Sequence, residues 1–274
     1  MNIVMDIDNK GNKIVGNYPK ICNSTINFNG KNNILYCAEN LDLNGAYIEF
    51  RGNNAVAFIN ASYIHKGSIL LNNNCAVYIG KMTFLFGISI QTVNDKHCFI
   101  GDDCLFASGV KIRNTDSHCI YDCFTYERLN QCESIYIGDH VWLAEDVLIL
   151  KGTQIDSGCV IGARSVVANK KIPHNTIWAG NPVRKIKENI FWDKQGTHKF
   201  TAQMEKDSLY YPDYISNHHK DFALDHWKYE YNKDEETAWK YLEENFVKMG
   251  NEDKLEFFMR LDNKKTKNRF VHLY

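Results

Sequence analysis

Reading every sixth residue from Ile137 returns Ile137, Leu143, Ile149, Ile155, Ile161 and Val167, six aliphatic positions in succession. The residues after them are often small or acidic: Gly138, Ala144, Asp156 and Gly162. A shorter run in the same style is Ile100, Phe106 and Ile112, with Gly101 and Ala107 following the first two. Fainter traces stand at Ile79-Gly80 and Leu85, and the stretch from Ile34 to Leu71 is Asn-rich and less regular. A helix of period 3.6 cannot keep a six-residue stripe on one face, and a half-buried strand alternates with period two. A coil with three flat sides of six residues can. One aliphatic per side then points inward, and successive coils stack these residues into ladders at the strand spacing of ~4.8 Å. Small residues beside them let the chain turn each corner.

After Ile186 the period stops and aromatic and charged residues take over. Trp239, Leu242, Phe246 and Met249 fall at helical spacing, with Asp234 suited to the N-cap, Glu235 and Glu236 to the first turn and Gly250 to the stop. Leu255, Phe258 and Met259 suggest a second short helix. Residues 1–187 therefore read as a solenoid domain, and 188–274 as a partly helical appendage that covers the solenoid's end or helps bind a substrate.

The six-residue register is broken once. It runs to Ile112 and resumes at Ile137, 25 residues later where six would continue it, so 19 residues leave the coil as a loop within 113–134. Long loops in compact domains are usually functional. This one reads Arg113-Asn114-Thr115-Asp116-Ser117-His118-Cys119-Ile120-Tyr121-Asp122. A histidine with carboxylates nearby suits general-base chemistry, because a carboxylate can hold the imidazole tautomer and stabilise the imidazolium. A loop histidine can equally be a solvated one. The next coil opens Gly138-Asp139-His140-Val141-Trp142-Leu143-Ala144, and the last ones carry Gly162-Ala163-Arg164-Ser165-Val166-Val167, Ile172-Pro173-His174 and Trp178-Ala179-Gly180-Asn181-Pro182-Val183-Arg184-Lys185-Ile186.

The [Ile/Leu/Val]-Gly-x-x-x-x repeat, clearest from Ile79 to Ile186, resembles that of the hexapeptide-repeat acyltransferases. The resemblance implies a left-handed parallel β-helix, against the usual right-handed crossover. Asp-Ser-His-x-Ile-x-Asp before the last coils is similar to the catalytic loop of bacterial polysaccharide and sialic-acid O-acetyltransferases of that family. It implies His118 as the base, with Asp116 and Asp122 as candidate orienting groups. In relatives the Val-Trp-Leu/Ile stretch lies beside the catalytic histidine. Trp142 is then either packing or a donor, through its indole N–H or a neighbouring backbone N–H, to the developing oxyanion. Relatives often carry Gly where Ala144 stands. The terminal stretch resembles the family's Gly-Ser-Val-Val and Gly-Asn-Pro signature, with Arg164 and Val183 as departures. It implies that acetyl-CoA lies along the coil edge near Arg113, Trp142, Ala144, Gly162 and Ala163, with its phosphates near Lys170, Lys171, Arg184 and Lys185. It further implies a homotrimer with active sites between subunits, and acetyl transfer to a sugar hydroxyl of a surface polysaccharide, sialic-acid capsule being the nearest likeness. No metal is called for.

Composition adds exclusions rather than chemistry. With 274 residues, 44% hydrophobic, 24% charged and a net charge of -1, the chain has neither a basic field for nucleic acid nor a polybasic membrane tether. No run approaches the ~18 apolar residues of a membrane span. The N-terminus, Met1-Asn2-Ile3-Val4-Met5-Asp6, has no signal-peptide pattern, and nine scattered cysteines without a CxxC read as reduced thiols in the cytoplasm. Three other readings remain in view. A γ-class carbonic anhydrase needs His-x4-His, which none of the ten histidines forms. A non-enzymatic β-helix scaffold would leave the loop and the Asn-Pro signature without purpose. Within the family, a serine acetyltransferase would carry a helical N-terminal domain, whereas an N-acyltransferase acting on an amino-sugar nucleotide differs only in its acceptor.

Overall fold

The computed structural model of the chain describes residues 3–219, 223–230 and 234–263. Among them, short strands form three sheets of nine, seven and nine strands, each rung parallel to the next apart from one antiparallel strand at either end. The chain visits the three sheets in turn, so they are the flat faces of a parallel β-helix of about eight coils. Each face contributes an inward ladder. On the first face Cys37, Ile59, Ile79, Ile100, Ile137, Ile155 and Ile172 stand in register. On the second, Leu43, Ile64, Leu85, Phe106, Leu143, Ile161 and Trp178 do so. On the third the ladder is Ile26, Ile48, Ile69, Ile90, Ile112, Ile149 and Val167. All six positions of the Ile137–Val167 run fall in these ladders and are fully buried.

Coil length explains why the early repeat is faint. On the first face Cys37, Ile59, Ile79 and Ile100 are 20 to 22 residues apart, whereas Ile137, Ile155 and Ile172 are 18 and 17 apart. The extra residues sit at a corner built from asparagine. Asn32, Asn54, Asn74 and Asn94 all have φ between +54° and +57°, a left-handed conformation that asparagine tolerates better than most residues. Their amides also relay along the solenoid: Asn32 Nδ2 donates to Asn54 Oδ1 (3.4 Å), Asn54 to Asn74 (3.2 Å) and Asn74 to Asp95 Oδ1 (2.7 Å).

The C-terminal residues lie along the side of the coil rather than across its end. Helices Asp234–Asn245 and Asn251–Asp262 belong to a second core with the outer side of the first face, where Leu242, Phe246, Phe257, Phe258 and Leu261 meet Phe58, Tyr78, Phe99 and Tyr136. Gly250 is the N-cap of the second helix, not the stop of the first. The side chains of residues 234–239, including the expected cap Asp234 and the apolar Trp239, lie outside the described set. Between solenoid and helices, the chain wraps a corner. The His140 ring is sandwiched between Trp192 (centroids 4.0 Å) and Trp227 (3.9 Å), and Lys194 Nζ reaches Asp103 Oδ1 (2.7 Å). The solenoid's end is closed by the antiparallel strand Arg184–Lys187 and by Val183, which is buried in the main core. Among the described residues no helix is long and apolar enough to cross a membrane.

Candidate active site

From Ile100 to its ladder partner Ile137 the chain runs 37 residues, one 18-residue coil and 19 more. Those residues leave the third face after Lys111–Arg113 and return on the first at Ile135–Ile137. The exit is pinned by buried Asn114, whose Oδ1 accepts from Val93 N (3.0 Å) and whose Nδ2 donates to Val93 O (2.9 Å). Beyond it the loop is an ordered arm. Leu129 N donates to Ile120 O (2.8 Å) and Asp122 N to Glu127 O (2.9 Å), so its two limbs run antiparallel. Its tip is apolar and bare: Phe124 is 87% and Tyr126 80% exposed.

His118 sits at the base of this arm with its side chain exposed. The carboxylates near it in sequence serve other partners. Asp116 Oδ2 accepts from Lys151 Nζ (2.5 Å) and Asn130 Nδ2 (3.0 Å), and the Lys151 ammonium holds its carboxyl below the ordinary range. Asp122 Oδ1 accepts from the N–H groups of Thr125 and Phe124 (both 2.8 Å), which hold it low and make it a turn cap. Among the described residues, neither carboxylate is hydrogen-bonded to the His118 ring, so neither acts as its orienting group in this arrangement.

What fixes His118 is a residue sequence reasoning passed over. Asn130, buried where the arm returns, donates Nδ2 to His118 O (2.7 Å) and to Asp116 Oδ2, and accepts from Ile120 N on Oδ1 (2.8 Å). One amide thus ties both limbs together around the histidine. Asn130 lies 12 residues from His118 outside any recognisable motif, and only the hairpin geometry brings it there.

Trp142, Ala144 and Gly162 lie on the second face or its far edge, away from the edge that bears the arm. The Trp142 ring is 37% exposed, beside Trp192 (centroids 5.8 Å). Its backbone N–H donates to Cys159 O (2.9 Å), that of Ala144 to Ile161 O (3.0 Å) and that of Gly162 to Trp178 O (2.8 Å). These donors are consumed by the ladder between coils, so the expectation of a backbone oxyanion donor at Trp142 or Ala144 is corrected. The Trp142 indole N–H has no acceptor among the described residues. Gly162 has a packing reason of its own, since a Cβ there would stand 2.9 Å from Ala179 Cβ. Ala163, beside it, is exposed.

The cations expected around CoA phosphates divide by environment. Lys170 Nζ lies over the Trp178 ring (5.5 Å), Lys171 is exposed on the first-face strand Lys171–Ile172, and Lys185 pairs with Glu188 (2.7 Å). Arg184 is exposed, its Nη1 reaching only Val183 O (3.3 Å). Arg113 donates Nη2 to Ser117 Oγ (2.8 Å), at the root of the arm. One chain therefore brings together Arg113, Asp116 and His118 on one edge, and Trp142, Ala144, Gly162 and Ala163 on another face and corner.

No protein-family model matches the chain. It is similar to the polysialic acid O-acetyltransferase of Neisseria meningitidis, 35% identical over 170 residues that cover 62% of this chain and 79% of that one. The chain belongs to the hexapeptide-repeat O-acetyltransferases. Membership makes it an acyltransferase and its solenoid a left-handed β-helix. A second member, the polysialic acid O-acetyltransferase of Escherichia coli O1:K1, is 32% identical over 147 residues, with the alignment spanning about half of each chain (53% and 47%). Among solved structures of these O-acetyltransferases, the polySia-specific enzyme NeuO superposes with a TM-score of 0.60 at 31% identity, covering 74% of this chain and 91% of that one. The polysialic acid enzyme OatWY gives 0.58 at 31% identity, covering 68% and 91%.

Proposed function

We propose that this O-acetyltransferase moves the acetyl group of acetyl-CoA to a sugar hydroxyl of a bacterial surface polysaccharide, with a sialic-acid-containing polymer as acceptor. The observation that carries the reading is the 35% identity to a polysialic acid O-acetyltransferase across most of that enzyme's length. The tethered His118 at the one break in the coil supports it. In the proposed reaction a ring nitrogen of His118 removes the proton of the acceptor hydroxyl as its oxygen attacks the thioester carbon. The C–O bond forms and the carbonyl oxygen takes up negative charge, which the Trp142 indole N–H stabilises. The tetrahedral species collapses, the C–S bond breaks, and the imidazolium returns its proton to the departing thiolate. Attack is direct, with no covalent enzyme intermediate and no metal.

The arm and the Trp142 face are separated within one chain, which favours a homotrimer whose cleft joins the arm of one subunit to the second face of the next. The bare Phe124 and Tyr126 of the arm tip, and Phe84 and Phe86 on the second face, are the surfaces such an assembly would cover. Arg113, Ala163, Lys170, Lys171, Arg184 and Lys185 are proposed CoA contacts, and the cytoplasm, where acetyl-CoA is made, is the proposed compartment. The test is thiol release from acetyl-CoA with sialic-acid oligomers, neutral oligosaccharides and amino-sugar nucleotides, on the wild type and His118→Ala. Release dependent on a sialic-acid acceptor and lost in the variant, with acetyl-CoA binding kept, is the expected result. Turnover that survives the substitution assigns the base elsewhere, and a response only to the amino-sugar nucleotide replaces O- by N-acylation.

A further inference from the structure

Under the arm lies a groove of about 500 Å³, between the arm's base and the asparagine corner of the earlier coils. Both chain neighbours of His118, Ser117 and Cys119, line it, so whatever fills it is held next to the base. Most of its polar lining is neutral amide and hydroxyl, including Asn72, Asn73 and Gln91. Such groups offer donors and acceptors in equal measure, the complement of sugar hydroxyls. The exception is Arg128. It is half-buried in the groove wall, and no carboxylate pairs with it among the described residues. Its Nη2 reaches Asn130 O at 3.3 Å, while its Nε is buried with no acceptor. A buried charged donor left without an acceptor is costly, and in a native protein it calls for an explanation.

We infer that this groove is an acceptor subsite in which the Arg128 guanidinium binds the carboxylate of an acidic sugar unit next to His118. The inference rests on the acetyl-transfer reading above and names the residue that makes that site prefer an acidic acceptor. A planar guanidinium matches a carboxylate with paired N–H donors, which a lysine could not reproduce. The one carboxylate in the lining, Asp95, already accepts from Asn74 Nδ2 and repels an anion, so the acidic group is directed to the Arg128 side. The neutral amides are left for the hydroxyls, one of which then faces His118.

The experiment pairs a change in the protein with a change in the ligand. Wild type, Arg128→Gln and Arg128→Lys are titrated with a sialic-acid oligomer and with the same oligomer after its carboxyls are converted to amides. Binding is read directly without acetyl-CoA, and KM and kcat are read in the thiol-release assay. The wild type should prefer the acidic oligomer. Arg128→Gln should weaken binding of that oligomer and raise its KM by about tenfold or more, as expected for a lost charge-assisted pair, with kcat nearly unchanged. It should leave the amidated oligomer unaffected, and Arg128→Lys should fall between. Equal losses on both oligomers, or unchanged binding of the acidic one, overturn the subsite. Arg128-dependent binding without acetyl transfer to any acceptor would sink the catalytic reading and leave the subsite standing.

Discussion

Asn130 is the perturbation from which most can be learned. Its side chain makes three hydrogen bonds, to His118 O, Asp116 Oδ2 and Ile120 N, and all three close the base of the arm. A hydrogen bond of this kind contributes about 0.5–1.5 kcal/mol net, so Asn130→Ala removes about 2–3 kcal/mol of local order. At 1.4 kcal/mol per factor of ten, that is about 30- to 150-fold in the population of the arm that holds His118 in place. The solenoid ladders do not pass through Asn130, so global stability changes far less than arm order. Asn130→Asp is the sharper variant. It keeps the acceptor for Ile120 N but loses both donors, and it sets a carboxylate against His118 O and Asp116.

The assay is thiol release under saturating acetyl-CoA, with the acetyl-CoA Kd measured separately. Both variants should lose at least about tenfold in kcat, while the Kd of acetyl-CoA and the Tm stay near wild type. Asn130 touches no reacting atom and acts as a positioning residue through the backbone of His118. A purely structural residue would lower Tm along with activity. Wild-type kcat in Asn130→Ala would refute the tether, since one amide could not hold the arm and be dispensable for turnover.

Three further outcomes follow from the same structure. Leu143→Ala, in the second-face ladder between Phe106 and Ile161, should cost about 2–5 kcal/mol in chemical denaturation, and a loss below about 1 kcal/mol would mean that the coil collapses around the gap. Cys22, Cys119 and Cys123 are exposed, whereas burial pushes Cys37, Cys98 and Cys159 up to about 12. A maleimide should therefore label the exposed three first, and turnover should fall with labelling of Cys119 in the groove but survive it in Cys119→Ser. His97 is buried under the helix pair with neither ring nitrogen bonded, and burial, reinforced by Lys254 and Lys96, holds it well below its ordinary value. The folded protein keeps it neutral, so below about pH 6.5 the unfolded chain takes up a proton that the folded one refuses. Stability should fall with pH from there by at most about 1.4 kcal/mol per unit, and His97→Phe should flatten that slope in hydrogen exchange of residues 242–262.

How much of this was legible in the chain depends on where spacing carries information. From Ile137 to Val167 every side is six residues long, so the ladder is visible as a period. Before Ile100 the coils are longer, and Leu43, Ile64 and Leu85 hide at irregular intervals although they stack as well as the later rungs. The asparagines that look like noise there are what turns the corner. The arm is legible by its length, but not its wiring. Asp116 and Asp122 invite assignment as partners of His118 because they are near it in sequence, yet one answers Lys151, 35 residues away, and the other caps its own turn.

One error was avoidable from the repeat itself. If each coil stacks on the next, the N–H of a strand residue such as Trp142 or Ala144 must donate to the neighbouring coil, here to Cys159 O and Ile161 O. A strand interior in a β-helix therefore has no spare backbone donor for an oxyanion. Donors to substrate must come from corners, from the arm or from outward side chains. Of the candidates on the second face, the Trp142 indole satisfies that condition and the Ala144 N–H does not. Trp142→Phe, which keeps the ring and removes the N–H, separates the two roles proposed for this position. A fall in kcat of about 10²-fold with acetyl-CoA binding kept marks the loss of an oxyanion donor, whereas unchanged kcat would return Trp142 to packing against Trp192.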